Sequence, residues 1–116
     1  MLEVKSIEEL SALIESAPLL VVDFYTTWCM PCRIAAAALA KIERDLEAKG
    51  FKLARADLDK IDVDKLAGKL KEPIRNVPTL SVFKDGREAA RLVGVKLRHD
   101  FHLELKRFIL SAAGIQ

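Results

Sequence analysis

Residues 19–32 have the sequence LLVVDFYTTWCMPC, in which an apolar run leads into a turn that holds both cysteines of the chain. The run from residue 19 to residue 24 is apolar except for Asp23, as expected of a central parallel strand that helices cover on both faces. A helical pattern starts at Pro31, and strong helix formers continue it from Arg33 to Lys49. We therefore predict a buried strand that passes into a helix through a Cys-x-x-Cys turn.

Cys29 lies in front of the predicted helix, and this position has a chemical consequence. Unpaired backbone N–H groups and the helix dipole favour thiolate over thiol at a helix N-terminus, so Cys29 is the expected nucleophile. Cys32 is only three positions away. Because a loop this small cannot constrain the unfolded chain, we expect the pair to be chemical rather than structural. Beside alternating strands and helices, such a pair is typical of a redox motif in a reducing cytosol.

Length and composition limit the classes of protein to consider. A chain of 116 residues fits a single domain, residues 1–116, and an apolar content of 51% with 31% charged residues suits a globular core. The 19 basic and 17 acidic residues are spread along the chain, so no basic stripe predicts binding to nucleic acid or an anionic membrane. The N-terminus lacks a signal-peptide pattern and no apolar run approaches the ~18 residues of a membrane span. We therefore expect a cytoplasmic protein.

Upstream of residue 19, the sequence predicts an edge strand and a helix. Leu2–Val4 is the candidate strand. Ser6 and Glu9 match a capping box, in which the serine caps the helix and Glu9 bonds back to the backbone of Ser6. Pro18 ends the helix, and its apolar face consists of Leu10, Leu13 and Ile14.

Downstream of the cysteines, the apolar spacing predicts the remaining helices and strands. The helix that follows the cysteines ends near Gly50 and has the buried stripe Ile34, Ala38, Leu39, Ile42 and Leu46. Residues 51–57 alternate as a strand, and a helix over about 62–70 buries Val63, Leu66, Ala67 and Leu70. Strands over 79–83 and 89–93 form a hairpin around Asp85-Gly86. The last helix, over about 99–112, buries Phe101, Leu105, Phe108 and Ile109.

The predicted order of elements is β, α, β, α, β, α, β, β, α, which describes an α/β fold with a mixed central sheet and helices on both faces. The sequence also resembles the thioredoxin family over nearly its whole length. Five matches, in order and at fitting distances, carry the resemblance: Val22-Asp23-Phe24, Trp28-Cys29-x-Pro31-Cys32, Val77-Pro78-Thr79, Phe83-Lys84-Asp85-Gly86 and Val93-Gly94. The resemblance implies a thioredoxin fold and a thiol–disulfide oxidoreductase that reduces protein disulfides.

The resemblance further implies a role for each residue of the expected active site. The thiolate of Cys29 attacks a disulfide in a protein substrate, and Cys32, buried one helical turn further on, resolves the mixed disulfide. Asp23 lies beneath the turn. If it is buried, its carboxyl has a raised pKa and accepts the proton of Cys32 through a water molecule. The Val77–Pro78 peptide bond is expected to be cis, which sets Pro78 against the two sulfurs.

A substrate surface is expected around the two sulfurs. Its members are Trp28, Met30, Pro31, Val77, Pro78, Val93 and Gly94. The backbone of Val77 offers hydrogen bonds to an extended substrate segment, as an added strand requires. The expected partners are proteins that contain disulfides and a reductase that regenerates the dithiol. We expect a monomer that needs no cofactor or metal and binds neither nucleic acid nor a membrane.

The chain departs from the family pattern at several positions. Met30 replaces the usual glycine between the cysteines and adds apolar surface beside the sulfurs. Ala37 replaces a helix-kinking proline, which predicts a straighter helix after the cysteines. Tyr25 replaces a common tryptophan, Asn76 replaces a glycine, and residues 71–73 form a longer connection. These changes bear on the range of substrates and the choice of reductase rather than on the chemistry.

Other functions stay open on the sequence alone. An oxidase or isomerase of the same fold has a higher reduction potential and a more acidic Cys29. A second alternative is a non-catalytic binding module that uses the fold to dock a partner. A third is a carrier of a metal or an iron–sulfur cluster that the cysteines hold between two chains. His99 and His102 are separated by two residues, whereas zinc sites usually separate their histidines by three to five, which disfavours a zinc site. Arg33 and Arg55 are candidates for tuning the electrostatics of the thiols, but exposed basic residues are common, and we interpret both as ordinary surface residues.

Overall fold

A computed structural model describes residues 1–66 and 68–115 of the chain. The regular elements of this part are β1 (Leu2–Glu3), α1 (Ile7–Ser16), β2 (Leu19–Tyr25), α2 (Met30–Ala48), β3 (Lys52–Asp57), a short 3-10 helix (Val63–Leu66), β4 (Thr79–Lys84), β5 (Arg87–Val93) and α3 (Phe101–Ala112). The predicted order of elements is confirmed, except that the 3-10 helix takes the place of the α-helix predicted over residues 62–70.

The strands form a five-stranded sheet in the order β1-β3-β2-β4-β5. β2 pairs in parallel with β3, and β3 pairs in parallel with β1. On the other side of β2 lies β4, which is antiparallel to it, and β5 is antiparallel to β4. The predicted mixed sheet is therefore confirmed. Its central strand, β2, carries Asp23 and leads directly to the cysteines.

The core is divided into two clusters, one on each face of the sheet. Alternate residues of β2 point to opposite faces, so Val21 packs in the cluster that includes α2 and α3, whereas Leu20 and Val22 pack with α1. This arrangement confirms the predicted helices on both faces. Asp23 follows Val21 by two residues, so its side chain points toward the face that α2 covers.

The N-terminus of α1 has the predicted serine cap, but its glutamate accepts a hydrogen bond from a different donor. Ser6 Oγ accepts a hydrogen bond from the backbone N–H of Glu9 at 3.1 Å. The Glu9 carboxylate accepts its bond from the backbone N–H of Lys5, at 3.2 Å, and not from Ser6 as predicted. The long glutamate side chain therefore satisfies a donor one residue earlier, before the cap. The helix ends at Ser16, just before Pro18, as predicted.

The hairpin of β4 and β5 follows from its turn residues. Asp85 and Gly86 have φ angles of 51° and 84°, and two successive positive φ angles are what a two-residue hairpin turn needs. The register of the two strands shifts between Val82 and Phe83: Val82 pairs with Ala90, whereas Phe83 pairs with Glu88. This irregularity is a β-bulge next to the buried Glu88.

Several expectations about the extent and burial of the helices are wrong. Residues 62–70 form only the 3-10 helix: the Asp62 carboxylate caps its start by accepting a bond from the backbone N–H of Asp64, and the positive φ of Gly68, 94°, ends the segment. Of the four residues predicted to be buried there, Leu66 is buried, Val63 and Leu70 are partly exposed, and Ala67 lies outside the described residues. The last helix begins at Phe101 rather than His99. Ile34 and Phe108 are partly exposed, each at the border of its helix stripe.

Candidate active site

Cys29 and Cys32 form a disulfide at the start of α2. Cys29 is the N-cap of this helix, and its Sγ accepts a hydrogen bond from the backbone N–H of Cys32 at 3.2 Å. Pro31 fits the first turn of the helix, because a backbone N–H at this position would have no hydrogen-bond partner within the helix. Cys29 is 6% exposed and Cys32 only 2%, so the first sulfur is the more accessible one.

The loop before β4 faces the sulfurs through its backbone. The Val77–Pro78 peptide bond is cis, as expected from the resemblance. The carbonyl oxygen of Val77 lies 3.8 Å from Cys29 Sγ. The carbonyl oxygen of Pro78 accepts a hydrogen bond from the backbone N–H of Gly94 at 2.9 Å. These contacts bring together residues that lie far apart in the sequence, namely the first cysteine, the proline loop and the end of β5.

Asp23 is fully buried in the sheet. Its Oδ2 accepts a hydrogen bond from Arg55 Nε at 3.0 Å, whereas its Oδ1 has no hydrogen-bond partner within the part of the chain that the structure describes. Burial raises the pKa of the Asp23 carboxyl to about 6, and the charge and hydrogen bond of Arg55 limit the rise. The predicted burial and the predicted direction of the pKa change are both confirmed, and the alternative of a solvent-exposed strand end is excluded.

Arg55 is the residue of this site that the sequence analysis missed. It is not an ordinary exposed basic residue, because its guanidinium pairs with Asp23 and stacks on the ring of Tyr25, 3.8 Å from the ring centroid. The hydroxyl of Tyr25 donates a hydrogen bond of 2.7 Å to Glu3 on β1. Burial and this bond raise the pKa of Tyr25 to about 12. The alignment of β2 with β3 is the information that would have identified Arg55, since Asp23 and Arg55 are direct partners on these two strands.

A cavity of about 260 Å³ connects these side chains with the second cysteine. Its lining consists of Tyr25, Thr26, Thr27, Cys32, Arg33 and Arg55. The buried hydroxyl of Thr26 has no hydrogen-bond partner among the described residues. The cavity therefore brings the cation that contacts Asp23 and the sulfur of Cys32 to the same polar space.

Apolar side chains surround the disulfide on the protein surface. Trp28 is 74% exposed, Met30 62% and Val93 50%, and Pro31 is also exposed. Trp28 Nε1 donates a hydrogen bond to Asp59 at 3.1 Å, which fixes the ring although its faces stay free. Val77 and Gly94 are partly exposed.

Pro78 differs from the other members of the expected substrate surface. It is buried, as the two cysteines are, so it lies beneath the more exposed side chains, and its contribution to the apolar rim of the docking surface stays a prediction. Its own carbonyl oxygen accepts the hydrogen bond from Gly94, which connects this loop to the end of β5. Leu97, which the sequence analysis did not select, is 83% exposed in the loop that follows β5. Leu97 lies in a loop, where apolar residues do not recur at helix or strand spacing, so the sequence pattern does not distinguish it.

A family model described as Thioredoxin matches residues 2–107. This chain belongs to the thioredoxin family. Thioredoxin-1 of Saccharomyces cerevisiae is 37% identical to it over 91 residues, which cover 78% of this chain and 82% of the yeast protein. The oxidised thioredoxin of Plasmodium falciparum, solved in solution, has a TM-score of 0.76 at 26% identity, over 97% of this chain and 98% of that one. The X-ray structure of Fasciola hepatica thioredoxin gives a TM-score of 0.74 at 26% identity, over 97% and 99% of the two chains.

The thioredoxin assignment confirms the resemblance that the sequence motifs carry. Together with the Cys29–Cys32 disulfide, it shows that the chain is a thiol–disulfide oxidoreductase with the α/β thioredoxin fold. Thioredoxins as a family act on disulfide substrates and are regenerated by a reductase. No helix in the described ranges is long and apolar enough to cross a bilayer.

The positions that differ from the usual thioredoxin pattern have structural counterparts here. Met30 is largely exposed beside the disulfide, and Tyr25 contacts Arg55. The helix α2 continues without interruption through Ala37, from Met30 to Ala48. Its straightness remains a prediction. His99 and His102 line a separate cavity together with cationic residues, and no group of three or more potential metal ligands occurs among the described residues.

Proposed function

We propose that this thiol–disulfide oxidoreductase works mainly as a reductant of protein disulfides, with Cys29 as nucleophile and Cys32 as resolving thiol. The observation that supports this most strongly is the disulfide at the N-terminus of α2 with the buried carboxyl of Asp23 on the sheet face that α2 covers. The helix N-terminus stabilises the Cys29 thiolate, and burial of Asp23 provides a proton acceptor of raised pKa.

The proposed reaction transfers two electrons and two protons to the substrate. The reduced Cys29 thiolate attacks one sulfur of the substrate disulfide, forms a mixed disulfide and releases the other substrate sulfur as a thiolate. Cys32 gives its proton to the Asp23 carboxylate through a water molecule, and its thiolate attacks Cys29 Sγ. The bond between Cys29 and the substrate breaks, the second substrate thiolate leaves, and the Cys29–Cys32 disulfide remains. Protons from Asp23 and water neutralise the substrate thiolates.

The apolar surface around the disulfide is the proposed docking site for the substrate. It comprises Trp28, Met30, Pro31, Val77, Val93 and Gly94, while Pro78 supports it from below. Because the Val77 carbonyl lies close to Cys29 Sγ, an extended substrate segment that pairs with this backbone brings its disulfide next to the nucleophile. The side chains then add apolar contacts whose strength depends on the substrate sequence.

The equilibrium reduction potential of the Cys29–Cys32 pair is the first test of this proposal. Titration against a defined thiol–disulfide buffer should give a value near −270 mV, typical of thioredoxin. A value near −180 to −120 mV would support the oxidase or isomerase alternative instead. If no reversible intramolecular disulfide forms, the binding-module and metal-carrier alternatives replace the reductant.

Two matched cysteine variants test the assignment of roles. With a disulfide-containing protein such as insulin, Cys32→Ser should accumulate a mixed disulfide because the resolving thiol is absent. Cys29→Ser, in which the more accessible sulfur is absent, should trap none and lose reductase activity. Equal trapping by both variants would contradict the proposed order of attack.

The proposal also includes a single domain, a monomeric state, a cytoplasmic location and a reductase that returns the disulfide to the dithiol. The location is supported by the use of both cysteines in the redox pair, with none left for structural disulfides. The spread of the chain's charges supports the absence of nucleic-acid and membrane partners. Size-exclusion chromatography with light scattering tests the monomer, and localisation of the tagged protein in cells tests the compartment.

A further inference from the structure

Three charged residues form a row across neighbouring strands under the active-site helix. Glu3 on β1 is the direct partner of Arg55 on β3, and Arg55 is the direct partner of Asp23 on β2. Partners in a parallel sheet point to the same face, so the row places a cation between two carboxylates. Asp23 is fully buried, whereas a quarter of the Arg55 side chain is exposed. The ion pair can therefore be lost through Arg55, because its partly exposed guanidinium can rotate toward water.

Tyr25 covers the guanidinium at this point. It follows Asp23 by two residues on the same strand and so lies on the same face of the sheet. Its ring centroid is 3.8 Å from Arg55 Cζ, a distance at which the ring face attracts a cation. Its hydroxyl reaches beyond Arg55 and donates to Glu3 at 2.7 Å. The ring is thus fixed at both ends, by its own strand and by the carboxylate on β1.

We propose that Tyr25, fixed by its bond to Glu3, is a positioning residue that holds the Arg55 guanidinium against Asp23 and thereby sets how tightly this carboxyl binds its proton. The inference rests on the proposed function only in assigning that proton to Cys32. The shared cavity supports the link, since Tyr25 and Arg55 form part of the wall that also includes Cys32. Tyr25 itself takes no part in sulfur chemistry.

The direction of the effect follows from the charges around Asp23. Arg55 from β3 favours the carboxylate, Glu3 from β1 disfavours it, and Leu80, the partner of Asp23 on β4, does not titrate. From α2, Arg33 and Cys32 line the neighbouring cavity, and Cys32 does not titrate in the oxidised protein. If Arg55 turns away into solvent, the carboxylate loses its nearest counter-charge while it remains buried. Its affinity for a proton must then rise.

A titration of the Asp23 carboxyl carbon by NMR in the oxidised protein tests the inference without any turnover. The informative variant is Tyr25→Leu, which keeps an apolar cover but removes the aromatic face. Arg55→Gln is the reference, because it removes the cation completely and should move the Asp23 midpoint upward by about one pH unit or more. We expect Tyr25→Leu to move it upward by a measurable fraction of that change. Circular dichroism of each variant establishes that it is folded.

Two further variants separate the ring from its hydroxyl. Tyr25→Trp restores an aromatic face, so its Asp23 midpoint should return toward the wild-type value. Tyr25→Phe keeps the ring but loses the bond to Glu3, and should give a smaller upward change than Tyr25→Leu. The inference is overturned if Tyr25→Leu is folded and keeps the wild-type midpoint while Arg55→Gln shifts it. Reductase activity is measured separately, so a wild-type protein that fails to reduce insulin would reject the proposed function without affecting these midpoints.

Discussion

The substitution Asp23→Asn measures how much the buried carboxyl destabilises the fold. Burial raises the pKa of Asp23 from 3.8 to about 6, although Arg55 acts in the opposite direction. A carboxyl with a raised pKa binds its proton more tightly in the folded chain than in the unfolded chain. Its cost is therefore absent at low pH, develops between about pH 4 and pH 6, and is complete above that range. The difference of about 2 in pKa corresponds to roughly 3 kcal/mol of lost stability at neutral pH.

Asparagine has nearly the same shape as aspartate and keeps a carbonyl oxygen that can accept the bond from Arg55 Nε. We therefore expect the oxidised Asp23→Asn variant to be more stable than wild type by about 2–3 kcal/mol at pH 8 and by about zero near pH 3.5. Urea unfolding at both pH values gives the two free-energy differences. Asp85→Asn, in the exposed hairpin turn, is the matched control and should change stability little at either pH.

The comparison between the two pH values is what tests the reasoning. An equal difference at pH 3.5 and pH 8 would refute it, because the effect would then come from packing or hydrogen bonding rather than from ionisation. A variant that is less stable than wild type at pH 8 would also refute it. The same variant should resolve mixed disulfides more slowly, since it lacks the proposed proton acceptor for Cys32.

Three other substitutions test separate parts of the structure. Glu88 is buried and accepts hydrogen bonds from Arg91 through both carboxylate oxygens. Glu88→Gln should therefore lower the free energy of unfolding by about 3 kcal/mol. A loss below about 1 kcal/mol would contradict a tight buried ion pair. Gly94 has a φ of 81° and open space where a Cβ would lie. Gly94→Ala should therefore lower the free energy of unfolding by about 1–2 kcal/mol through backbone strain alone. An unchanged unfolding midpoint would contradict this and show that the loop adapts. Ser6→Ala removes the cap of α1 and should cost about 1 kcal/mol in urea unfolding, with Ser16→Ala at the exposed helix end as control.

The central part of the fold could be predicted because its signals are local. An apolar run with one aspartate indicates a strand buried on both faces, and this places Asp23 in the interior without knowledge of its neighbours. The Asp85-Gly86 pair specifies a hairpin turn by backbone conformation alone. The cis bond at Val77–Pro78 is different, since nothing in the periodicity of the chain distinguishes cis from trans. That expectation came only from the resemblance to the thioredoxin family.

The features that were missed depend on register and on competing local bonds. Arg55 pairs with Asp23 only because β2 and β3 align at this register, and a shift of one residue would turn Arg55 to the opposite face. The apolar spacing over residues 62–70 fits a helix. The positive φ of Gly68 and the turn in which the N–H of Lys69 bonds to the carbonyl oxygen of Leu66 nevertheless end the helical pattern early. Spacing patterns do not contain either kind of information.

A carboxyl with a pKa near neutrality needs burial and a counter-charge at the same time. Burial alone would raise the pKa of Asp23 further, so that a larger fraction of the carboxyl would already hold a proton and could not accept one from Cys32. A solvated pair with Arg55 would return the pKa toward 3.8 and make the carboxylate a weaker base. Tyr25 contributes to both requirements, since its ring shields Arg55 from water and also holds it in place. The roughly 3 kcal/mol that Asp23 costs the fold is then the direct consequence of a carboxyl suited to the proposed proton transfer.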